Sequence, residues 1–282
     1  MKTLGILGPK GTHSEEAALW LKKHSREDWR IEICADIFDV LTAVKERRLD
    51  AGFVPVENSL EGSINITLDT LARSDTLTIS RELVWQVKNF LMIKPLADVK
   101  AVKKIYSHSQ PLAQCRKFLH KNFPDVEIVA TTSTARAAEI VAADEQAAAI
   151  CTERAGKLHG LTIAAKDIQD NPNNFTRFFE ITYRPRDAEP IETFDGDKVL
   201  VICQIDGSRA GSLCSVLEEF AKRNVNMTRI ESRPARTILG AYIFFFELET
   251  DAGDDALRDA IQAVYDKSIW LKNLGAFPVI QA

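Results

Sequence analysis

Along the first half of the chain, short apolar runs alternate with stretches whose apolar positions recur every three to four residues. The runs at 3–7, 29–34, 51–56, 103–107, 126–131 and 147–151 predict strands, and the stretches at 38–47, 112–123 and 134–143 predict amphipathic helices between them. This alternation argues for βαβ units and largely parallel sheets, in which ligands sit where strands end and loops begin.

The pattern breaks after Tyr183. Residues 184–196, Arg-Pro-Arg-Asp-Ala-Glu-Pro-Ile-Glu-Thr-Phe-Asp-Gly, are rich in charge, proline and glycine, have no apolar period, and read as a linker. Beyond it follow a strand at 199–205, a helix at 213–222, strands at 227–232 and 241–248, a helix at 255–265 and a final strand around 276–280. This βαββαβ order predicts an α+β ferredoxin-like domain, a fold that names no function by itself.

At 282 residues, 45% hydrophobic and 27% charged, the chain suits two or three cores better than one. Its 36 basic and 40 acidic residues interleave, as in Lys45-Glu46-Arg47-Arg48, for a net charge of -4. Without a basic stripe, nucleic acid is not an expected partner, and an anionic substrate needs a local pocket. No apolar stretch approaches the roughly 20 residues of a membrane span, and the N-terminus has no secretory pattern, so neither a membrane partner nor export is expected and the chain is expected in the cytoplasm. The five cysteines, at 34, 115, 151, 203 and 214, are scattered and read as reduced thiols, with neither a disulfide framework nor a zinc site.

Four polar segments fall at strand ends. Gly8-Pro9-Lys10-Gly11-Thr12-His13-Ser14 lacks the Gly-Lys-Ser/Thr ending of a P-loop. Thr12 with Glu15 fits a capping box; alternatively, free helix-start amides with the Thr12 and Ser14 hydroxyls hold a carboxylate. Pro55-Val56-Glu57-Asn58-Ser59-Leu60-Glu61-Gly62 reads either as a turn with a cap at Ser59 or Ser63 or as a cluster of functional groups. In Ser107-His108-Ser109-Gln110, adjacent residues of an extended segment point oppositely, so His108 does not activate Ser107, and hydrolase chemistry is not indicated; Gln110 and Gln114 share a helix face. Asn173-Asn174-Phe175-Thr176-Arg177-Phe178 leads from amides into a strand, where Arg177 reads as a bidentate carboxylate clamp or as a surface ion pair.

Taken in order, GPKGTHS (8–14), PVENSLEG (55–62), SHSQPLAQC (107–115) and NNFTRF (173–178) closely resemble the signature segments of prephenate dehydratases. NVNMTRIESRP (224–234) resembles the phenylalanine-binding part of the ACT regulatory domain that follows in that family. Three positions depart from the family pattern. His13 stands where an aromatic residue is usual, Ser109 replaces a proline, and Arg209-Ala210-Gly211-Ser212-Leu213 stands where Pro-Gly-Ala-Leu is usual.

The resemblance implies a two-lobed, periplasmic-binding-protein-like α/β catalytic domain at 1–184, a linker at 185–197 and an ACT domain at 198–282. Lobe one would comprise about 1–76 and 155–184, and lobe two about 77–154, with the site in the cleft between them. The implied activity is that of a carbon–oxygen lyase, converting prephenate to phenylpyruvate with loss of CO2 and water, without metal, nicotinamide or pyridoxal cofactor. By resemblance Thr176 is the donor to the departing hydroxyl, while Asn58, Ser107 and Gln114 orient substrate or donor, and Thr12, Ser14 and Arg177 hold carboxylates. A threonine hydroxyl is a very weak acid, which favours hydrogen-bond stabilisation of the leaving oxygen over literal proton transfer; Glu57 reads as a structural member of its motif. Phenylalanine is the implied effector, at Gly211, Leu213, Asn226, Met227, Glu231, Ser232, Arg233 and Pro234, in a homodimer or homotetramer assembled through C-terminal domains. Arogenate dehydratase is the same-chemistry alternative, and a non-catalytic amino-acid sensor the alternative of another class.

Overall fold

The structure, a computed structural model, describes residues 1–237 and 240–282. Its first sheet contains β1 (Lys2–Leu7), β2 (Trp29–Cys34), β3 (Ala51–Asn58), the two-residue β4 (Gly62–Ser63), β5 (Leu77–Gln86), β11 (Phe175–Tyr183) and β16 (Val279–Gln281), in the order β16-β5-β11-β3-β1-β2 with β4 beside β3. The second contains β6 (Phe90–Ile93), β7 (Lys104–His108), β8 (Glu127–Thr131), β9 (Ala147–Cys151) and β10 (Thr162–Ala165), in the order β10-β6-β9-β7-β8. The expected parallel pairing holds for β1 with β2 and β3, and for β7 with β8 and β9. The strands next to the crossings, β11, β6 and β10, run antiparallel to their neighbours.

The helices are α1 (His13–His24), α2 (Ile37–Lys45), α3 (Asn65–Arg73), α4 (Ser109–Gln114), α5 (Arg116–Asn122), α6 (Thr134–Val141) and α7 (Glu153–Leu158). The helix predicted at 112–123 is two helices broken at Cys115, because both carboxylate oxygens of Asp170, from the returning chain, accept from the Lys117 amide and start α5. Helix α1 packs on one face of the first sheet through Ala17, Ala18 and Leu21 against Leu4, Ile6, Phe53 and Phe178, while α2 and α3 cover the other face.

The lobe boundaries differ from those expected. Strand β5 stays in the first lobe because Leu77 and Ile79 complete the core made by Val54, Leu68 and Phe179. Helix α7 and β10 belong to the second lobe, where Ala155 and Leu161 pack with Phe90 and Met92. The chain therefore crosses at 87–89 and returns at 166–174. The two crossings bind each other: the Asn89 amide donates to the Gln169 side chain at 3.0 Å, and the Ile168 amide to the Asn89 carbonyl at 3.1 Å.

No helix or strand lies between Tyr183 and Lys198. The C-terminal domain comprises β12 (Lys198–Ile205), α8 (Ser212–Lys222), β13 (Met227–Pro234), β14 (Tyr242–Glu249), α9 (Asp254–Tyr265) and β15 (Ser268–Phe277), with sheet order β13-β14-β12-β15. This is the ferredoxin-like arrangement, although its last strand begins at Ser268, well before the expected 276. One sheet face packs on α8 and α9 through Val199, Val201 and Phe246. The other packs on the first lobe: Leu200, Ile202, Ile243, Phe245 and Leu274 share a core with Val54, Val56 and Phe179. Strand β16 then leaves this domain and pairs with β5, so the expected boundary at 282 does not hold for the final residues.

Candidate active site

Register on β11 sets opposite directions for two adjacent side chains. Thr176 lies opposite Asn58 and Arg177 opposite Glu57, and because strand side chains alternate, Thr176 turns toward the α1 face and Arg177 away from it. Asn58 is 5% exposed, and its Oδ1 accepts from the amides of Leu60 at 3.0 Å and Glu61 at 3.1 Å. Those backbone donors fix which way the amide faces. Its Nδ2 then donates to Asn174 Oδ1 at 2.9 Å, the Phe175 carbonyl at 3.1 Å and Thr176 Oγ1 at 3.0 Å. Since the Thr176 oxygen accepts this bond, its own proton is free to point at another group.

Gln114, at the end of α4 in the second lobe, reaches this pair through Asn174, whose Nδ2 donates to Gln114 Oε1 at 3.0 Å. Asn174 is fully buried and Asn173 exposed. Both amides stand in the signature segment, whose resemblance implies a role for neither; the doubled amide before an apolar strand is the signal in the sequence, and only burial separates them. The Asp170 amide donates to the Gln114 carbonyl at 2.7 Å, tying the same loop to α4.

The β1–α1 loop closes the other side. Gly11 has φ +84°, and a Cβ there would lie 3.0 Å from the Ala155 backbone, so this close contact with α7 needs glycine. Thr152 Oγ1 donates to the Gly11 carbonyl at 2.7 Å, and Arg154 grips buried Glu15 with Nε and Nη2 at 2.7 and 3.0 Å. Glu15 also accepts from the Gly11 amide at 2.6 Å, while Thr12 Oγ1 donates back to the Pro9 carbonyl at 3.0 Å. The capping-box expectation thus fails: no side-chain bond from Thr12 caps α1. Among the described residues the His13 and Ser14 amides have no protein acceptor, which leaves the helix start available to an anion. Among the described residues both ring nitrogens of half-buried His13 lack partners, as do both side-chain polar atoms of Asn89. Burial lowers the His13 pKa to about 4, so the ring is neutral near pH 7.

Two expected roles are corrected. Arg177 is no substrate clamp: it donates to Glu82 at 2.5 and 2.8 Å, to Glu57 at 2.8 Å and to Glu247 of the C-terminal domain. Burial works against the charges here, yet Arg177 and Lys198 hold the Glu247 carboxyl down at about 2. Ser107 is fully buried, and its hydroxyl donates to the Ile150 carbonyl at 2.6 Å, so its proton fastens β7 to β9 and is not offered to a substrate.

Of the expected effector residues, Gly211 and Leu213 line a cavity of about 230 Å³ with Ser212, Tyr242 and Phe244. Gly211 has φ +84° and stands before the start of α8. Glu231 and Arg233 turn to the opposite side because strand alternation points them at the first lobe: Ser63 donates to Glu231 at 2.8 Å, and Arg233 donates to Asn65 at 2.6 Å and Asp69 at 3.2 Å. They dock the domains and do not line that cavity. Asn226 donates to Glu249 at 2.7 Å, Met227 packs on the C-terminal core, and Ser232 and Pro234 are exposed outside the cavity.

The family model for prephenate dehydratase matches residues 4–186, and that for the ACT domain matches residues 200–264. The chain is 38% identical over 275 residues to a bifunctional chorismate mutase/prephenate dehydratase of Aquifex aeolicus, covering 98% of this chain and 73% of that protein. It is 35% identical over 273 residues to a prephenate dehydratase of Methanocaldococcus jannaschii, covering 96% of each. A solved prephenate dehydratase from Arthrobacter aurescens, in complex with L-Phe, has a TM-score of 0.86 at 33% identity, covering 98% of this chain and 90% of the other. With its two lobes matched together and one relative aligned over 96% of its own length, this chain belongs to the prephenate dehydratase family and carries a C-terminal ACT domain.

Proposed function

We propose that the chain is a prephenate dehydratase, a carbon–oxygen lyase acting on prephenate in phenylalanine formation. The observation that carries this reading is the Asn58–Thr176 hydrogen bond, which leaves a hydroxyl proton free at the same end of the first sheet as an open helix start. In prephenate the ring carboxylate leaves as CO2, its bonding electrons pass through the ring, and the hydroxyl on the opposite carbon departs with them. The departing oxygen takes up one proton and becomes water. Formation of the aromatic ring drives the step, so the protein's task is to hold a dianion and stabilise the leaving oxygen. Thr176 donates the hydrogen bond to that oxygen, Asn58 orients Thr176, and Asn174 links both to Gln114. The His13 and Ser14 amides, with the Ser14 hydroxyl, receive a carboxylate, and the Thr12 hydroxyl joins them on giving up its bond to the Pro9 carbonyl.

Phenylalanine as effector fits the cavity at Gly211 and Leu213, whose walls combine a helix start with the Phe244 ring. Ile230 and Tyr242, both 46% exposed, leave apolar surface near the C-terminal sheet edge for a second copy, consistent with a homodimer or homotetramer in the cytoplasm.

Ultraviolet detection of phenylpyruvate from prephenate tests the activity. No product would leave the amino-acid sensor as the better reading, and a higher kcat/KM for arogenate would reassign the substrate. Calorimetric titration with phenylalanine tests the effector; absence of both heat and rate change would withdraw it.

A further inference from the structure

Arg177, directly beside the proposed donor, reaches the ACT domain at Glu247, and Glu57, opposite it on β3, lies 3.5 Å from Arg229 of that domain. The Arg177 guanidinium forks onto Glu82 and also meets Glu57 and Glu247, and Glu82 and Glu247 are 0% and 1% exposed. On the ACT side, Lys198 donates to Glu247 at 2.7 Å and Thr228 to the same oxygen at 2.8 Å. Both members of the Asn58–Thr176 pair therefore have a sequence neighbour, Glu57 and Arg177, anchored in one ionic cluster. The β3–β11 register shifts immediately afterwards, between Arg177 and Phe178, so the regular ladder does not fix the strand on that side. Glu247 also shares β14 with Tyr242 and Phe244, which wall the 230 Å³ cavity.

We propose that Arg177 is a positioning residue through which strand β14 of the ACT domain, by way of Glu247, sets the alignment of the Thr176 hydroxyl. A guanidinium fork fixes direction as well as distance, and a buried ionic cluster tolerates little mismatch. A shift of β14 is thereby carried to Arg177 and, across one peptide unit, to Thr176. Misalignment of a reacting group by about 1 Å costs as much as 10²-fold in rate, so small shifts suffice.

This inference rests on the prephenate dehydratase reading, which turnover by the unmodified full chain tests first. Given that turnover, Glu247→Gln should lower kcat about tenfold or more while KM stays within about twofold. Asp69→Asn, which removes a separate docking contact to Arg233 and Arg236, should leave kcat within about twofold. A folded Glu247→Gln with kcat within about twofold of wild type, or equal losses in both variants, overturns the proposal. Should Glu247→Gln fail to fold, Glu247→Asp keeps the charge and withdraws it by one methylene. A fall in its kcat at constant KM then supports the proposal, and an unchanged kcat overturns it.

Discussion

The side-chain amide of Asn58 donates to the hydroxyl of Thr176 at 3.0 Å, and two backbone amides, of Leu60 and Glu61, hold the Asn58 oxygen so that it cannot turn over. A hydroxyl that accepts from a fixed donor has its own proton directed elsewhere. That single relationship leaves the Thr176 proton available for the donor role proposed above.

Thr176→Ala is expected to lower kcat by roughly 10²–10⁴ with little change in KM. Asn58→Asp keeps the acceptor for Leu60 and Glu61 but turns the donor into a carboxylate, which captures the Thr176 proton. It should lose about as much, and the double variant little more. Steady-state kinetics of the four proteins decides; independent, additive losses would separate the two residues.

With Arg177 as a substrate clamp, Arg177→Leu would mainly raise KM. Its position predicts instead a loss of stability of about 3–5 kcal/mol, because buried Glu82 and Glu247 lose their shared partner. Urea unfolding measures this. A stable variant with raised KM would restore the substrate-clamp reading.

A chain ending at Arg184 should not be a soluble stand-in for the catalytic domain. It loses β16, leaves the outer edge of β5 unpaired, and bares the apolar surface that Leu200, Ile202 and Phe245 cover. Aggregation on expression is expected; a monodisperse, cooperatively unfolding fragment by light scattering and calorimetry would refute this.

His13 contributes a pH dependence whose sign follows from its lowered pKa. The unfolded ring protonates near 6.5 and the folded one near 4, so its neutral burial costs nothing extra above about 6.5, and stability falls progressively as pH drops from there toward 4. The nearest titratable group, Glu16 at 3.7 Å, has its own pKa raised by burial and gives little compensation. His13→Phe should therefore lose less melting temperature than wild type between pH 7 and pH 5. Equal losses by differential scanning calorimetry would rule out His13 as the source.

Much of the architecture is legible in the sequence. The helical and strand periods marked βαβ units, the charged Pro-Gly segment marked the break, and βαββαβ order marked the last domain, because these features depend on neighbours a few residues apart. The periodic pattern passes over strand β5, although Leu77, Ile79 and Leu83 are spaced along a strand, since Arg81, Glu82 and Gln86 interrupt the run; Glu82 pairs with Arg177 across strands and lies 3.9 Å from Lys198 of the C-terminal domain, and Arg81 pairs with Glu27 and Glu180.

The amino-acid sequence by itself determined the element order, the domain break and the group of polar segments at strand ends, including the identities of Thr176 and Asn58. Tertiary structure decided which partners those residues meet. Arg177 and Glu247 are 70 residues apart, Asn174 and Gln114 60, and Glu231 and Ser63 168. Strand alternation tells that Arg177 and Thr176 face opposite ways, but not that a carboxylate from another domain, Glu247, awaits the Arg177 face. Such pairings depend on how sheets dock through a shared apolar core, and the local pattern of a chain carries no record of what lies across that interface.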